Sequence, residues 1–436
     1  MLVRNEDASD GVRNHAELEP PTTRTASSRM RHRPVAILLL ALPWFAPISA
    51  DAQSSDSFDV SVVPESAQPP PQQGLSQSQR QVTAQGSAAL ASSTLQLRSL
   101  KLLSESLRRE QRRQRLEDEE DSETSAGNSL PLSPAAGLGA AWLSGSAVAG
   151  STLDAETGAE FDRFNVFGSA DYRASEQDRT VNAPANESDM LGLVLGADYR
   201  VNPDLVLGAT VGYVANETDF TSGNFGQLEH YNYSISALAS WYVWQNLYVD
   251  AVGRIAALEF DAIRQVAGGG IALGDTTGFE YAISTSSGYE FHRGPLSFGP
   301  QVRVTYIDLF LDGYMEAGGG NPLRYGNQDV ESLRTAVGGN ATYAINTGFG
   351  VVVPQAAVEW VHEFDDDPRL VTAQSIASGA FLTVPVDARD SDFYRISVGA
   401  SAVLTHGRNL FFRYEADLSR ENRENHTITL GARLEL

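Results

Sequence analysis

An all-β fold is predicted for this chain: a 12-stranded antiparallel transmembrane β-barrel preceded by a disordered segment and a short amphipathic helix. Three observations predict it. From residue 161 onward, twelve segments alternate apolar with polar residues, the period of a strand with two unlike faces. The connections between them alternate between tight turns and longer loops, like the two rims of an outer-membrane barrel. The final segment places Ile428, Leu430, Ala432, Leu434 and Leu436 on one face and Thr429, Gly431, Arg433 and Glu435 on the other, a pattern suited to a barrel's closing strand.

Composition is compatible with this. The chain has 436 residues and no cysteine, which excludes disulfides and thiolate metal sites. Its mean hydropathy of −0.23 would suit a soluble protein. It suits a barrel equally, because half of each strand faces a polar lumen and the loops are hydrophilic. A net charge of −23 disfavours nucleic acid as a partner, since that needs a basic surface. Acidic loops account for the charge.

In chain order, residues 1–52 read as an upstream extension plus a signal peptide at about 30–52. Arg31-His32-Arg33 precedes the apolar run Val35 to Phe45, and Ala50-Asp51-Ala52 offers a small-x-small cleavage site before Gln53. The run is shorter than a membrane span and contains Pro43, with Pro47 just beyond. Residues 1–29 read as the product of an early start codon, with Met30 as the alternative start; otherwise they form a long n-region. Residues 53–92 are rich in Gln, Ser and Pro and are expected to be disordered.

Residues 93–121 read as an amphipathic charged helix. Leu95, Leu97, Leu100, Leu103 and Leu107 supply an apolar stripe, and Arg113/Glu117 and Arg115/Glu119 sit at i,i+4. A solvated helix is the plain reading. A weak coiled coil, or a helix touching the barrel or membrane, is the sharper one; apolar spacing over about two heptads falls short of a coiled coil. Residues 122–160 form a Gly/Ala/Ser-rich linker or pore segment, and residues 161–436 the barrel.

The strands are expected at 161–174, 187–200, 204–216, 228–244, 246–263, 277–292, 296–310, 330–345, 349–363, 390–405, 409–420 and 424–436. Tight turns fall at 201–204, 244–246, 293–295, 346–348 and 406–408, so this rim is assigned to the periplasm. Tyr394, Ile396 and Val398 should face lipid, with Arg395 and Ser397 inward; Leu410, Phe412, Tyr414, Ala416 and Leu418 should face out against Arg413, Glu415 and Asp417. A charge on the lipid face costs about 2–4 kcal/mol at mid-bilayer. Arg254, Arg303, Arg334, Glu359, Arg395, Arg413, Glu415 and Arg433 are therefore the pore-lining candidates. They either pair across strands, line the pore, or hold the N-terminal segment inside it. Tyr231, Tyr233, Trp241, Tyr242, Trp244, Tyr248 and Trp360 are expected in interfacial girdles.

Two sequence stretches carry a family resemblance. Leu191-Gly192-Leu193-Val194-Leu195-Gly196-Ala197-Asp198-Tyr199-Arg200 and Leu205-Val206-Leu207-Gly208-Ala209-Thr210-Val211-Gly212-Tyr213 resemble an early strand pair of the autotransporter (type V secretion) C-terminal translocator β-barrel domain. The resemblance covers about residues 160–436. It implies a monomeric barrel in the outer-membrane lipid of a Gram-negative cell, reached by Sec-type export with periplasmic chaperones and the barrel assembly machinery as partners. It also implies that the barrel translocates or displays its own short N-terminal segment. Ile428, Leu430, Ala432, Leu434 and Leu436 become the assembly-signal candidates, although the family usually ends in Phe or Trp. About 80 polar residues after the signal cannot form a stacked solenoid passenger. The family's pore helix would fall on 137–158, where Gly137, Gly139, Gly145, Gly150 and Gly158 disfavour a helix.

No enzyme, metal or cofactor is expected. Ser419 and His426 flank the last loop without an orienting partner, and Asp365-Asp366-Asp367 lacks calcium-loop spacing. The alternatives are a passengerless pore or structural outer-membrane protein, and a lipid-active outer-membrane enzyme.

Overall fold

Twelve long strands close on themselves. The computed structural model describes residues 77–125, 163–221, 226–266, 269–404 and 407–435, with helix side chains described up to Arg112. The expected signal peptide, the segment before residue 77, the stretch 126–162 and Leu436 lie outside the described residues, as do the side chains of Arg113/Glu117 and Arg115/Glu119.

The barrel strands are β1 Phe164–Gln177, β2 Asn186–Asn202, β3 Leu205–Phe220, β4 Gly226–Tyr242, β5 Leu247–Gln265, β6 Ile271–Tyr289, β7 Leu296–Leu311, β8 Gln328–Tyr343, β9 Gly350–Glu363, β10 Asp392–Leu404, β11 Arg408–Leu418 and β12 Arg423–Glu435. Each pairs antiparallel with its sequence neighbours, and β12 returns to β1 with Val166 opposite Leu434 and Tyr172 opposite Ile428. Closure leaves neither edge strand unpaired, as lipid requires. Among the described residues no helix is long and apolar enough to cross a membrane; the strands supply the crossing.

Alternation places the side chains. In β12, Ile428, Leu430 and Leu434 are exposed outward, whereas Asn425, Thr427, Thr429 and Arg433 are buried inward. Leu191, Leu193 and Leu195 of β2 and Ile255 of β5 join the outer apolar face, the lipid-facing band of such barrels. Of the outer set expected in β11, only Ala416 is buried, a small residue flanked in register by Ile396 and His426. Inside, two aromatic rings cover glycines: a Cβ on Gly431 would meet the Phe411 ring at 2.0 Å, and one on Gly196 the Phe167 ring at 2.6 Å.

The girdle expectation needs correction at two positions. Tyr233, Trp241, Trp244 and Trp360 are exposed, but Tyr242 and Tyr248 are buried. Both fall on the lumen side of the alternation. The Tyr242 hydroxyl donates to Glu290 Oε2 at 3.1 Å, and the Arg108 guanidinium lies 3.7 Å from the Tyr248 ring centroid.

The long loops after β7 and β9 build a separate four-stranded sheet from Tyr314–Met315, Leu323–Tyr325, Arg369–Ser375 and Phe381–Val386. Its core is Leu323, Tyr325, Val371, Ala373, Val384 and Val386, packed on Val82. Val82 ends a 3₁₀ turn, Gln77–Val82, that leads into helix α1, Thr83–Ser125. The helix therefore starts ten residues before the expected boundary at 93, and residues expected to be disordered form its first turns. Ala, Ser, Gln and Thr dominate there, so no apolar stripe marks them.

Candidate functional site: the barrel lumen and its helix

Helix α1 passes through the barrel with a defined direction. Near its start, Gln85 donates to the Tyr314 hydroxyl at 3.1 Å and accepts from Gln328 at 3.0 Å, both at the long-loop rim. Toward its other end, Gln111 donates to the Ser240 carbonyl at 3.3 Å, and Arg112 reaches His292 and Glu290 beside a tight turn. The helix thus enters at the long-loop rim and leaves toward the rim from which β1 starts.

Its apolar side chains are few and face apolar wall positions. Leu95 packs with Met190 and Val214, while Leu97, Leu100, Leu103 and Leu107 join a cluster with Val194, Val252 and Leu258. Small residues on other faces let it approach the wall. Ser92 contacts His230 at 3.0 Å and accepts from Asn232 at 3.2 Å, and Ser99 donates to Asp171 at 2.5 Å.

Charge fixes the register. Lys101 Nζ lies 2.6 Å from Glu359, Arg98 lies 3.3 Å from Asp417, Glu105 lies 2.5 Å from Arg413, and Arg108 pairs with Asp250. These partners sit on β9, β11 and β5. Such pairs are buried, so each loses hydration on forming. They are favoured only when further hydrogen bonds complete both groups. Glu359 meets that condition, because Arg303 and Gln301 also reach it, at 2.8 and 2.9 Å.

All eight pore-lining candidates point inward, and the structure groups them. Arg254 pairs with Glu280 and gives hydrogen bonds to Gln96 at 2.9 Å and Asn232 at 2.7 Å. Arg303 and Arg395 flank Glu359. Arg334 pairs with Glu363 at 2.7 Å and reaches Thr94 at 2.9 Å. Arg413 holds Glu105, and Glu415 lies 3.9 Å from Arg98. Arg433 lies on Asp198 at 2.9 Å and makes no helix contact among the described residues. Sequence reasoning omitted the carboxylates Asp171, Asp250, Glu280 and Glu363 from the candidates. Strand parity could have found two of them, since Asp250 shares its face of β5 with Arg254, and Glu280 alternates with outward-facing Phe279 and Tyr281.

Below the helix, at the tight-turn rim, His292 accepts from Arg112 and lies 2.8 Å from Ser297. Burial, and next the Arg112 charge, hold its imidazole down at about 4. The Ser419/His426 pairing does not form: the Tyr414 hydroxyl contacts His426 Nδ1 at 2.8 Å.

A closed barrel with an apolar exterior and an ion-paired helix through its lumen defines a plugged outer-membrane β-barrel. The chain belongs to the autotransporter beta-domain family, whose model matches residues 166–415. The fold is similar to the translocator domain of the autotransporter NalP from Neisseria meningitidis, at 13% identity and a TM-score of 0.51 over 63% of this chain and 89% of that one. It is also similar to the beta domain of the Bordetella autotransporter BrkA, at 18% identity and a TM-score of 0.47 over 63% of this chain and 100% of that one. Comparison with curated proteins gave no match.

Proposed function

We propose that this outer-membrane barrel carries its own N-terminal segment across the membrane and holds it on the cell surface, with α1 as the tether. The direction of α1 supports this reading. The chain joins the helix at the long-loop rim, the external one in outer-membrane barrels, and returns to the periplasmic rim where β1 begins. The segment before the helix is then attached outside, and the lumen charges act as the clamp. Sec-type export, periplasmic chaperones and the barrel assembly machinery are the route this function requires, and the outward residues of β12 are its assembly signal. The protein acts without catalysis in the barrel.

An epitope tag inserted after Gln53 tests the reading. Protease added to intact cells is expected to remove it; a tag lost only after the outer membrane is permeabilised contradicts surface display. The rival reading is a pore with no exported segment. It predicts conductance in planar bilayers from the full-length chain, which the ion-paired helix disfavours.

A further inference from the structure

The helix does not fill the barrel at the long-loop rim. A cavity of about 730 Å³ lies there between α1, β1, β12 and the loops that follow β1, β9 and β11. That volume is in the range of small-molecule sites, about 300–1,000 Å³. Seven arginines line it. Four have carboxylate partners: Arg98 and Arg395 on Asp417, Arg334 on Glu363 and Arg420 on Asp390.

The other three, Arg173, Arg389 and Arg423, have no acidic partner among the described residues. Arg173 is only 4% exposed, and its Nε and Nη1 have no hydrogen-bond partner. Arg389 donates from Nη2 to the Glu331 carbonyl at 2.6 Å, while its Nη1 has no partner. Arg423 donates to Gln177. The carboxylates along the cavity are engaged elsewhere or exposed. Asp387 accepts from Asn182 at 2.7 Å, Asp390 from Arg420 at 2.8 Å and Asp392 contacts His362 at 3.0 Å, while Glu421 is exposed.

A buried cation without a paired counter-charge is costly. Here Arg173 is buried, Arg389 and Arg423 are half-buried, and all three guanidinium groups share one cavity without an ion-pair partner among the described residues. Their planar forks match phosphate oxygens in paired hydrogen bonds. A phosphate monoester would bring a charge of about −1.5 to −2 and three acceptor oxygens. We propose that this vestibule is a binding site for a phosphate-class oxyanion, held by Arg173, Arg389 and Arg423. The remaining volume accommodates the group that bears the phosphate. The source is either a soluble phosphate ester or a phosphate on an outer-leaflet glycolipid.

The test is thermal unfolding of the full-length protein in detergent, with inorganic phosphate as probe and chloride at matched ionic strength as control. Phosphate is expected to raise the wild-type midpoint above the chloride control. Arg173→Met is expected to raise the midpoint without phosphate, because it removes a buried charge that no carboxylate pairs directly, and to weaken phosphate binding roughly tenfold to a hundredfold, as for loss of a charged hydrogen bond. A structural arginine would shift the unliganded midpoint the other way. If Arg173→Met fails to fold, Arg423→Gln decides, with the same weakening expected. Absence of a phosphate-specific shift, or an equal shift in wild type and variants, overturns the proposal. Reconstitution with lipopolysaccharide before and after dephosphorylation identifies a lipid source; a shift with a sugar phosphate in lipid-free detergent identifies a soluble one.

Discussion

Lys101 of the lumen helix and Glu359 of β9 meet at 2.6 Å, 258 residues apart in sequence. Arg303 joins the same carboxylate from β7 at 2.8 Å, and Arg395 approaches it at 3.9 Å from β10. One carboxylate therefore gathers three cations and links the helix to residues of three strands, β7, β9 and β10. Glu359→Gln should destabilise the barrel by about 3–5 kcal/mol, the cost of leaving buried charge uncompensated. Lys101→Met should cost less, because two arginines still neutralise Glu359. Denaturant unfolding in detergent measures both, and a larger loss for Lys101→Met would contradict the assigned hierarchy.

The outer face of β12 has a different sensitivity. Leu430 is 56% exposed on the outer face, and Thr429 beside it donates inward to Asp171 at 2.7 Å. Leu430→Arg should destabilise by about 2–4 kcal/mol if it lies near mid-bilayer, with less heat-resistant folded barrel on unboiled gels. Tolerance equal to that of Leu430→Val would mean that this face does not meet lipid.

Gly431 is inward-facing and lies under the Phe411 ring, which a Cβ would meet at 2.0 Å. Gly431→Val must displace that ring, and overpacking of this kind costs about 1–3 kcal/mol. A Gly431→Val/Phe411→Ala double variant should lose less than the sum of the two single changes. Strict additivity in unfolding free energy would show that the ring does not rest on the glycine.

The contact between Arg112 and His292 should be pH-dependent. Neutral His292 accepts from Arg112, and its folded-state value of about 4 is below the ordinary 6.5. The unfolded state therefore binds the extra proton between these limits. Stability from this contact is complete above about 6.5 and declines as pH falls toward 4. Protease sensitivity at the lower end of α1 should rise over that window in wild type. His292→Asn should flatten the dependence, and an unchanged profile would exclude this histidine as its origin.

Strand periodicity made the barrel legible in the sequence, because a membrane wall demands strict alternation and each charge must choose the lumen. Arg413 and Glu415 against Phe412 and Tyr414 show this directly. The helix was less legible for a related reason. Amphipathic patterning assumes an apolar core, whereas this helix packs within a polar lumen. Ser92 falls in the segment expected to be disordered, and Ser93, Gln96 and Ser99 lie in the expected helix but outside its apolar stripe, yet His230, Glu280, Arg254 and Asp171 provide their partners. The resemblance also directed attention to 137–158 as the pore segment, whereas the described lumen is occupied by α1. Tyr242 and Tyr248 were misplaced because an aromatic near a strand end suits a girdle or a lumen equally, and parity decides between them.

The direction of α1 carries the account, and the absence of native cysteine allows it to be read directly. Single cysteines at Gln53 and Ser122 flank the lumen passage. A membrane-impermeant maleimide applied to intact cells should label Gln53→Cys and leave Ser122→Cys unlabelled until the outer membrane is opened. Labelling of Ser122→Cys alone in intact cells, or of neither site before permeabilisation, would contradict a helix that enters the barrel from outside.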